Sequence, residues 1–276
     1  TSIRRVLSAN PGVGVIMTAW EAFLLGILQG ATEFLPISSS GHLVMAQTVL
    51  DVEVPGVLFE VWVHMATLLS ILLIYHKRII ELAKGVLGKD RSALEYTGLV
   101  TLATLPAVFT GLFLSDLVKV MFENPVIPGV ALMVTGVILW TSRRVSVPSA
   151  ADRPGWMGAL VIGLAQAFAL IPGISRSGTT VVTALWLGLK VEDAAAFSFL
   201  MAIPVILGAT LLQLSEVGAS QSLPTPTLLL AGAAAAFTGV LAIRTFITTL
   251  GKGSFHKFGV YCWIIGVLFL SYLWVK

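Results

Sequence analysis

Charge is scarce in this chain. Only 11% of its 276 residues are Asp, Glu, Lys or Arg, against about 25% in a water-soluble domain. With 57% hydrophobic residues and a mean hydropathy of +0.94, no soluble core of this size could absorb the apolar side chains, so their solvent is lipid. A single cysteine, Cys262, excludes an intramolecular disulfide and a thiolate metal cluster. Period-two alternation is missing too, which argues against barrel strands. The apolar runs, about 17–22 residues long, suit spanning helices. The net charge of +3 belongs to loops and points to no nucleic-acid partner. The expected class is an all-α integral membrane protein in contact with lipid; a homodimer is left open.

Six segments are long enough to span, at roughly 58–75, 97–117, 125–142, 194–214, 226–247 and 257–275. Two other apolar regions, 18–50 and 156–189, are broken midway by proline, glycine and serine clusters. Their halves, about 12–15 residues each, are too short to cross a ~30 Å core. Each reads as a re-entrant helical hairpin, tolerated at membrane depth only where it is buried in protein or lines a wet cavity. Residues 1–16, TSIRRVLSANPGVGVI, precede Met17 and read as an N-terminal extension or a vector remnant. The remainder, 17–276, reads as one membrane domain.

Loop charge sets the expected orientation. Lys77, Arg78, Lys84, Lys89 and Arg91 follow the first span, Arg143, Arg144 and Arg153 the third, and Arg244, Lys252 and Lys257 the fifth. Alternate loops carry little more than Lys119, Glu123 and Glu216. The basic loops are then cytoplasmic, and the two hairpins enter from opposite sides. An inverted-topology repeat follows, over 18–142 and 156–275. GILQGATEFLPISSSGHLV at 26–44 matches GLAQAFALIPGISRSGTTV at 163–181 without a gap, at a constant offset (163 − 26 = 137 and 178 − 41 = 137). Binding sites in such folds lie near the midplane, where the hairpin tips meet.

The polar residues are concentrated at those tips. Each break is followed by a helix start, near Ser38–Ser40 and Ser175–Ser177, whose unpaired N–H groups and partial positive charge suit an anion such as phosphate. Serine capping of those groups is the simpler alternative. Arg176 at membrane depth needs a counter-charge or a function, and Glu33 of the opposite hairpin is the expected partner. Gln29 lies one turn before Glu33 and shares its face. The two are too few to cage a metal, but Mg²⁺ or Ca²⁺ could be held jointly by Glu33, Gln29 and substrate oxygens. His42, three residues after Ser39, places an imidazole near a hydroxyl, an activated-nucleophile spacing. Ser39, His42 and water remain alternative attackers. His64 is expected to pack or bond a neighbour, and Glu21 to favour a helix start.

QGATEFLPISSSGH (29–42) and PGISRSGTT (172–180) together resemble the two signatures of the undecaprenyl-diphosphate phosphatases, the bacitracin-resistance family. The likeness runs from Met17 to the end of the chain, with glutamine at position 29 where the family often has glutamate. It implies six transmembrane helices plus two re-entrant hairpins, and hydrolysis of undecaprenyl diphosphate to undecaprenyl phosphate and inorganic phosphate. It further implies a divalent cation, and a site opening to the outer face of the plasma membrane, where the lipid carrier of envelope synthesis is recycled. By motif match, Glu33, Ser38, Ser39, His42, Ser175, Arg176 and Ser177 form the site, with Ser40, Gly178 and Thr179 beside them on the phosphate. A transporter or flippase of polyprenyl phosphate, built on the same repeat, is the rival from another class.

Overall fold

A computed structural model gives the architecture of residues 18–50, 56–144, 151–214 and 225–276. Residues 1–17, on which the reading of an N-terminal extension falls, lie outside the described residues. Among those described, the regular structure is helical: α1 Ala19–Phe34, α2 Ser39–Leu50, α3 Gly56–Leu87, α4 Arg91–Phe113, α5 Ser115–Glu123, α6 Val126–Thr141, α7 Trp156–Phe168, α8 Arg176–Trp186, α9 Val191–Leu214, α10 Thr225–Gly251 and α11 Lys257–Val275. Among the described residues five helices are long and apolar enough to cross a membrane, in α3, α4, α9, α10 and α11, and a sixth span results if α5 and α6, which meet at 101°, are one.

The expected span at 97–117 is shifted and cut. α4 begins at Arg91, where the Asp90 side chain caps it by accepting from the Ala93 N–H at 2.9 Å. It ends at Phe113, and the chain turns at Leu114 into α5. Ser115, Lys119 and Glu123 line one face of α5 and none of its residues is buried, as in a helix lying along an interface. Pro125 then holds Asn124 extended (φ −98°, ψ 104°) and separates α5 from α6. The first span is longer than expected: α3 has 32 residues and carries Lys77, Arg78, Glu81 and Lys84 on its last turns, about 48 Å of helix against a core of ~30 Å.

Both broken segments break where proline forbids continuation. Pro36 keeps Leu35 out of the helical region (φ −62°, ψ 146°), and Ser38 takes a left-handed φ of 67° before α2 starts. In the second segment α7 stops at Phe168, and the turn through Pro172 contains Gly173 at φ 98°. The four pieces have 16, 12, 13 and 11 residues, each under ~25 Å long. The two ends of the second segment lie side by side. Ala151 accepts from the Lys190 N–H at 2.8 Å and donates to the Gly188 carbonyl at 2.9 Å.

Small residues allow the close packing that holds the pieces in place. A Cβ on Gly26 of α1 would fall on the Ala231 carbonyl of α10, and one on Gly163 of α7 would lie 2.6 Å from the Ala103 carbonyl of α4. The half-helix of each broken segment is thus backed by a spanning helix from the other half of the chain. α6 and α11 run antiparallel through Gly136 and Gly259, where either Cβ would meet the other's carbonyl within 2.8 Å. The largest fully buried side chains, Phe34, Phe197, Phe199, Phe246 and Phe255 among them, fill the centre between these layers. Many aliphatic and aromatic side chains of α4, α6, α10 and α11 face outward, Phe109, Phe113, Phe237 and Leu268 among them, as lipid-facing surfaces require.

Candidate active site

The two breaks abut. A Cβ on Gly41 would sit 3.0 Å from Cα of Gly173, and one on Gly178 would sit 3.0 Å from Cβ of Pro36. The Ser177 hydroxyl reaches the Leu35 carbonyl at 3.4 Å across the junction. Thr135 of α6 fixes the second tip from behind: its hydroxyl donates to the Gly173 carbonyl at 2.8 Å and accepts from the Ser175 N–H at 3.0 Å.

The two tips share one local pattern. Ser38 and Ser175 act as caps, accepting from the Gly41 N–H at 3.3 Å and the Gly178 N–H at 3.2 Å. Each hydroxyl also lies 3.3 Å from the serine two residues on, Ser40 or Ser177. The capping alternative therefore describes the first serine of each cluster, and leaves Ser39 and Arg176 for something else.

Glu33 joins the tips. Its Oε1 accepts from Arg176 Nη2 at 2.6 Å, and its Oε2 accepts from the Ser39 hydroxyl at 2.7 Å and from Gln29 Nε2 at 3.1 Å. The Glu33 and Arg176 side chains are 8% and 14% exposed. Two polar atoms stay buried with no protein partner here, Arg176 Nη1 and the Thr179 hydroxyl. Native structures rarely leave such groups unsatisfied, and both belong to the first turn of α8, where an anion would supply the acceptor.

His42 is elsewhere. The expected Ser39–His42 contact is not made, because both imidazole nitrogens are engaged with other groups. Nδ1 is 2.9 Å from the Ser38 carbonyl and Nε2 is 2.9 Å from the Tyr261 hydroxyl of α11. Ser39 turns to the carboxylate instead. Sequence reasoning did not single out Tyr261, which carries no motif. It placed His64 as a packing or bonding residue, and the structure sets its Nε2 3.7 Å from Glu33 Oε2. An ionisable side chain inside a span was the available signal for His64.

Among the described residues, no three His, Cys, Asp or Glu side chains gather to hold a metal ion. Glu33 supplies a carboxylate, with the Gln29 amide and the His64 imidazole beside it at 3.1 and 3.7 Å. Both Glu33 oxygens already accept hydrogen bonds, so the protein alone forms no cation cage; the donor set suits a cation that brings oxygen ligands with it.

Fold and site together define a multi-pass helical membrane protein with an Arg–Glu–Ser centre at two facing helix starts. The chain belongs to the bacitracin resistance protein BacA family, which it matches over residues 22–268. Among its relatives, an undecaprenyl-diphosphatase of Desulfatibacillum aliphaticivorans is 37% identical over 267 residues, covering 91% of this chain and 97% of the relative. An undecaprenyl-diphosphatase of Alkaliphilus metalliredigens is 38% identical over 274 residues, 93% and 99% of the two chains. One of Methanococcus maripaludis is 37% identical over 256 residues, 92% and 100%.

Proposed function

We propose that this protein hydrolyses undecaprenyl diphosphate to undecaprenyl phosphate and inorganic phosphate, recycling the lipid carrier of cell-wall synthesis. The observation that carries the reading is the Ser39–Glu33–Arg176 contact with a guanidinium nitrogen still unpartnered. A hydroxyl on a carboxylate beside a buried arginine is equipped for phosphoryl transfer, whereas carriage of a lipid phosphate would need no such hydroxyl. The relatives' names point to the same substrate.

In this reading Arg176 and the N–H groups at the starts of α2 and α8 hold the terminal phosphoryl group, with Ser38, Ser40, Ser175, Ser177, Gly178 and Thr179 shaping its seat. The Ser39 oxygen attacks the terminal phosphorus while its proton passes to Glu33 Oε2. The bond from phosphorus to the bridging oxygen breaks, and its electron pair leaves with undecaprenyl phosphate. Water then attacks the phosphoserine: Glu33 returns its proton to the Ser39 oxygen as the oxygen–phosphorus bond breaks, takes up a proton from the attacking water, and releases it with the inorganic phosphate. A divalent cation, Mg²⁺ or Ca²⁺, would arrive on the diphosphate, with Glu33 and Gln29 as its protein ligands, and would supply positive charge against the phosphate oxygens.

The finer topology is part of the same proposal: six spans and two re-entrant hairpins in an inverted repeat, in the plasma membrane, with the site opening outward. The paired ends of the second broken segment support re-entry, and the reciprocal backing of α1 by α10 and α7 by α4 supports the repeat. Contacts among the basic segments support a common cytoplasmic side: Arg153 pairs with Glu95 at 3.2 Å, Arg143 lies over Trp140, and Trp140 meets His256.

Phosphate release from undecaprenyl diphosphate by the purified protein, with and without EDTA, tests the activity. Release that EDTA suppresses supports both substrate and cation; no release by folded protein sinks the reading. Rapid quench during turnover should trap an acid-stable phosphoserine that is absent from Ser39→Ala, a variant retaining less than roughly a thousandth of the activity. An acid-labile adduct in both proteins would transfer the nucleophile's role to His42.

A further inference from the structure

Ser38 has an unusual backbone. Its φ of 67° lies in the left-handed region, which strains a side-chain-bearing residue and persists only where the surroundings enforce it. The residue that follows is Ser39, so the Ser38 torsion decides where the attacking hydroxyl points.

His42 is what closes on Ser38. The Ser38 carbonyl accepts from the His42 backbone N–H at 3.2 Å and from the His42 ring at 2.9 Å. A carbonyl can only accept, so Nδ1 carries the ring proton. Nε2 of the neutral ring is then an acceptor, and the Tyr261 hydroxyl donates to it at 2.9 Å. The two rings are nearly parallel, 7° apart. Tyr261 stands on α11, 219 residues away in sequence, and helps line a cavity of about 390 Å³ with Leu35, Ile37 and Lys257. Leu35 and Ile37 flank Pro36 at the same break, and Pro36's carbonyl lies 3.7 Å from the Cys262 sulfur, next along α11.

Resting on the phosphatase reading, we propose that Tyr261 is a positioning residue: through His42 it clamps the left-handed Ser38 turn and so aims Ser39 at the phosphorus. The Tyr261 hydroxyl bonds His42, whereas Ser39 and Glu33 bond each other. It fixes the imidazole tautomer, the imidazole holds the Ser38 carbonyl, and the turn sets the start of α2. His42 is then also a positioning residue.

The test is kinetic and spectroscopic. Tyr261→Phe keeps the ring and loses the donor. It should lower kcat for undecaprenyl diphosphate roughly ten- to hundredfold, the size of effect expected from a small misplacement of a reacting group, with KM changed less than twofold. Its defect should be absent in His42→Asn, where the clamp is already open: the double variant should match His42→Asn alone. Glycine adopts a positive φ without strain, so in a Ser38→Gly background Tyr261→Phe should cost less than twofold. A role confined to folding would predict the same loss in every background. An independent reading comes from ¹⁵N-histidine NMR of the intact protein in detergent, with His42 assigned through His42→Asn. Wild type should show a single tautomer with the proton on Nδ1, and Tyr261→Phe a mixture. This measurement needs no turnover, so it survives failure of the phosphatase reading itself. Undiminished kcat in folded Tyr261→Phe, an equal loss in the Ser38→Gly background, or an unchanged tautomer would each overturn the proposal.

Discussion

At the scale of single residues the centre is one buried ion pair with a hydroxyl attached. Such a pair contributes little net stability, because desolvation of both ions offsets their attraction; removing one partner strands the other and costs about 3–5 kcal/mol. Glu33→Gln should therefore lower the unfolding temperature in detergent and abolish turnover that added Mg²⁺ does not restore. Pairing it with Arg176→Met should recover the temperature and leave turnover absent. Failure of the temperature to recover would mean that the Glu33 carboxylate is not held by Arg176. Arg176→Lys is a sharper probe, since an ammonium cannot serve Glu33 Oε1 and a phosphoryl oxygen through two nitrogens of one plane. Phosphate release should fall roughly a hundredfold or more while the protein elutes as wild type from a sizing column. Near-normal release would reduce Arg176 to a structural cation.

Elements aim these residues. α2 and α8 start at the site because proline and left-handed turns stop α1 and the segment after α7 just before it. The second tip depends on Thr135 of α6, whose hydroxyl serves Gly173 and Ser175 at once. Thr135→Val keeps the shape and removes both bonds, leaving a buried carbonyl and N–H unserved. The expected loss is about 1–3 kcal/mol, read as a lower unfolding temperature, together with reduced kcat as α8 loses its aim. If stability and kcat both stay at wild-type level, the tip is held by packing alone. Glycine at the helix crossings is equally local in effect: Gly163→Val would press two methyl groups into the α4 backbone at Ala103, and overpacking of this kind costs about 1–3 kcal/mol.

For the whole molecule the decisive question is orientation. In a Cys262→Ser background, Lys89→Cys and Arg153→Cys should react with a membrane-impermeant thiol reagent only from the cytoplasmic side of sealed vesicles, and Glu123→Cys only from the other. Labelling of all three from one side would refute the proposed topology. In the proposed topology, oppositely inserted broken segments would bring two short helices tip to tip without either crossing the bilayer. The polar groups at their ends, among them Ser38, Ser175 and Ser177, are buried in protein, which is the condition for irregular backbone at membrane depth.

Composition alone determined the solvent, since this much apolar surface has nowhere else to go, and local chemistry determined where helices must stop, since proline and serine act within a few residues of themselves. The motif residues Glu33, Ser39 and Arg176 were legible for the same reason: each stands at a break that the sequence displays. What Ser39 and His42 bond to was not legible. A three-residue helical spacing makes them neighbours on a surface, but the Glu33 carboxylate takes the Ser39 hydroxyl while the Ser38 carbonyl and the Tyr261 hydroxyl take the His42 ring. The interruption of the expected 97–117 span at Leu114 was hidden too, because an interfacial helix and the end of a span differ little in apolar content. Only the tertiary structure decided those points. The contacts that settle them join residues as far as 219 positions apart, and in a chain so poor in charge few side chains mark such partners in advance.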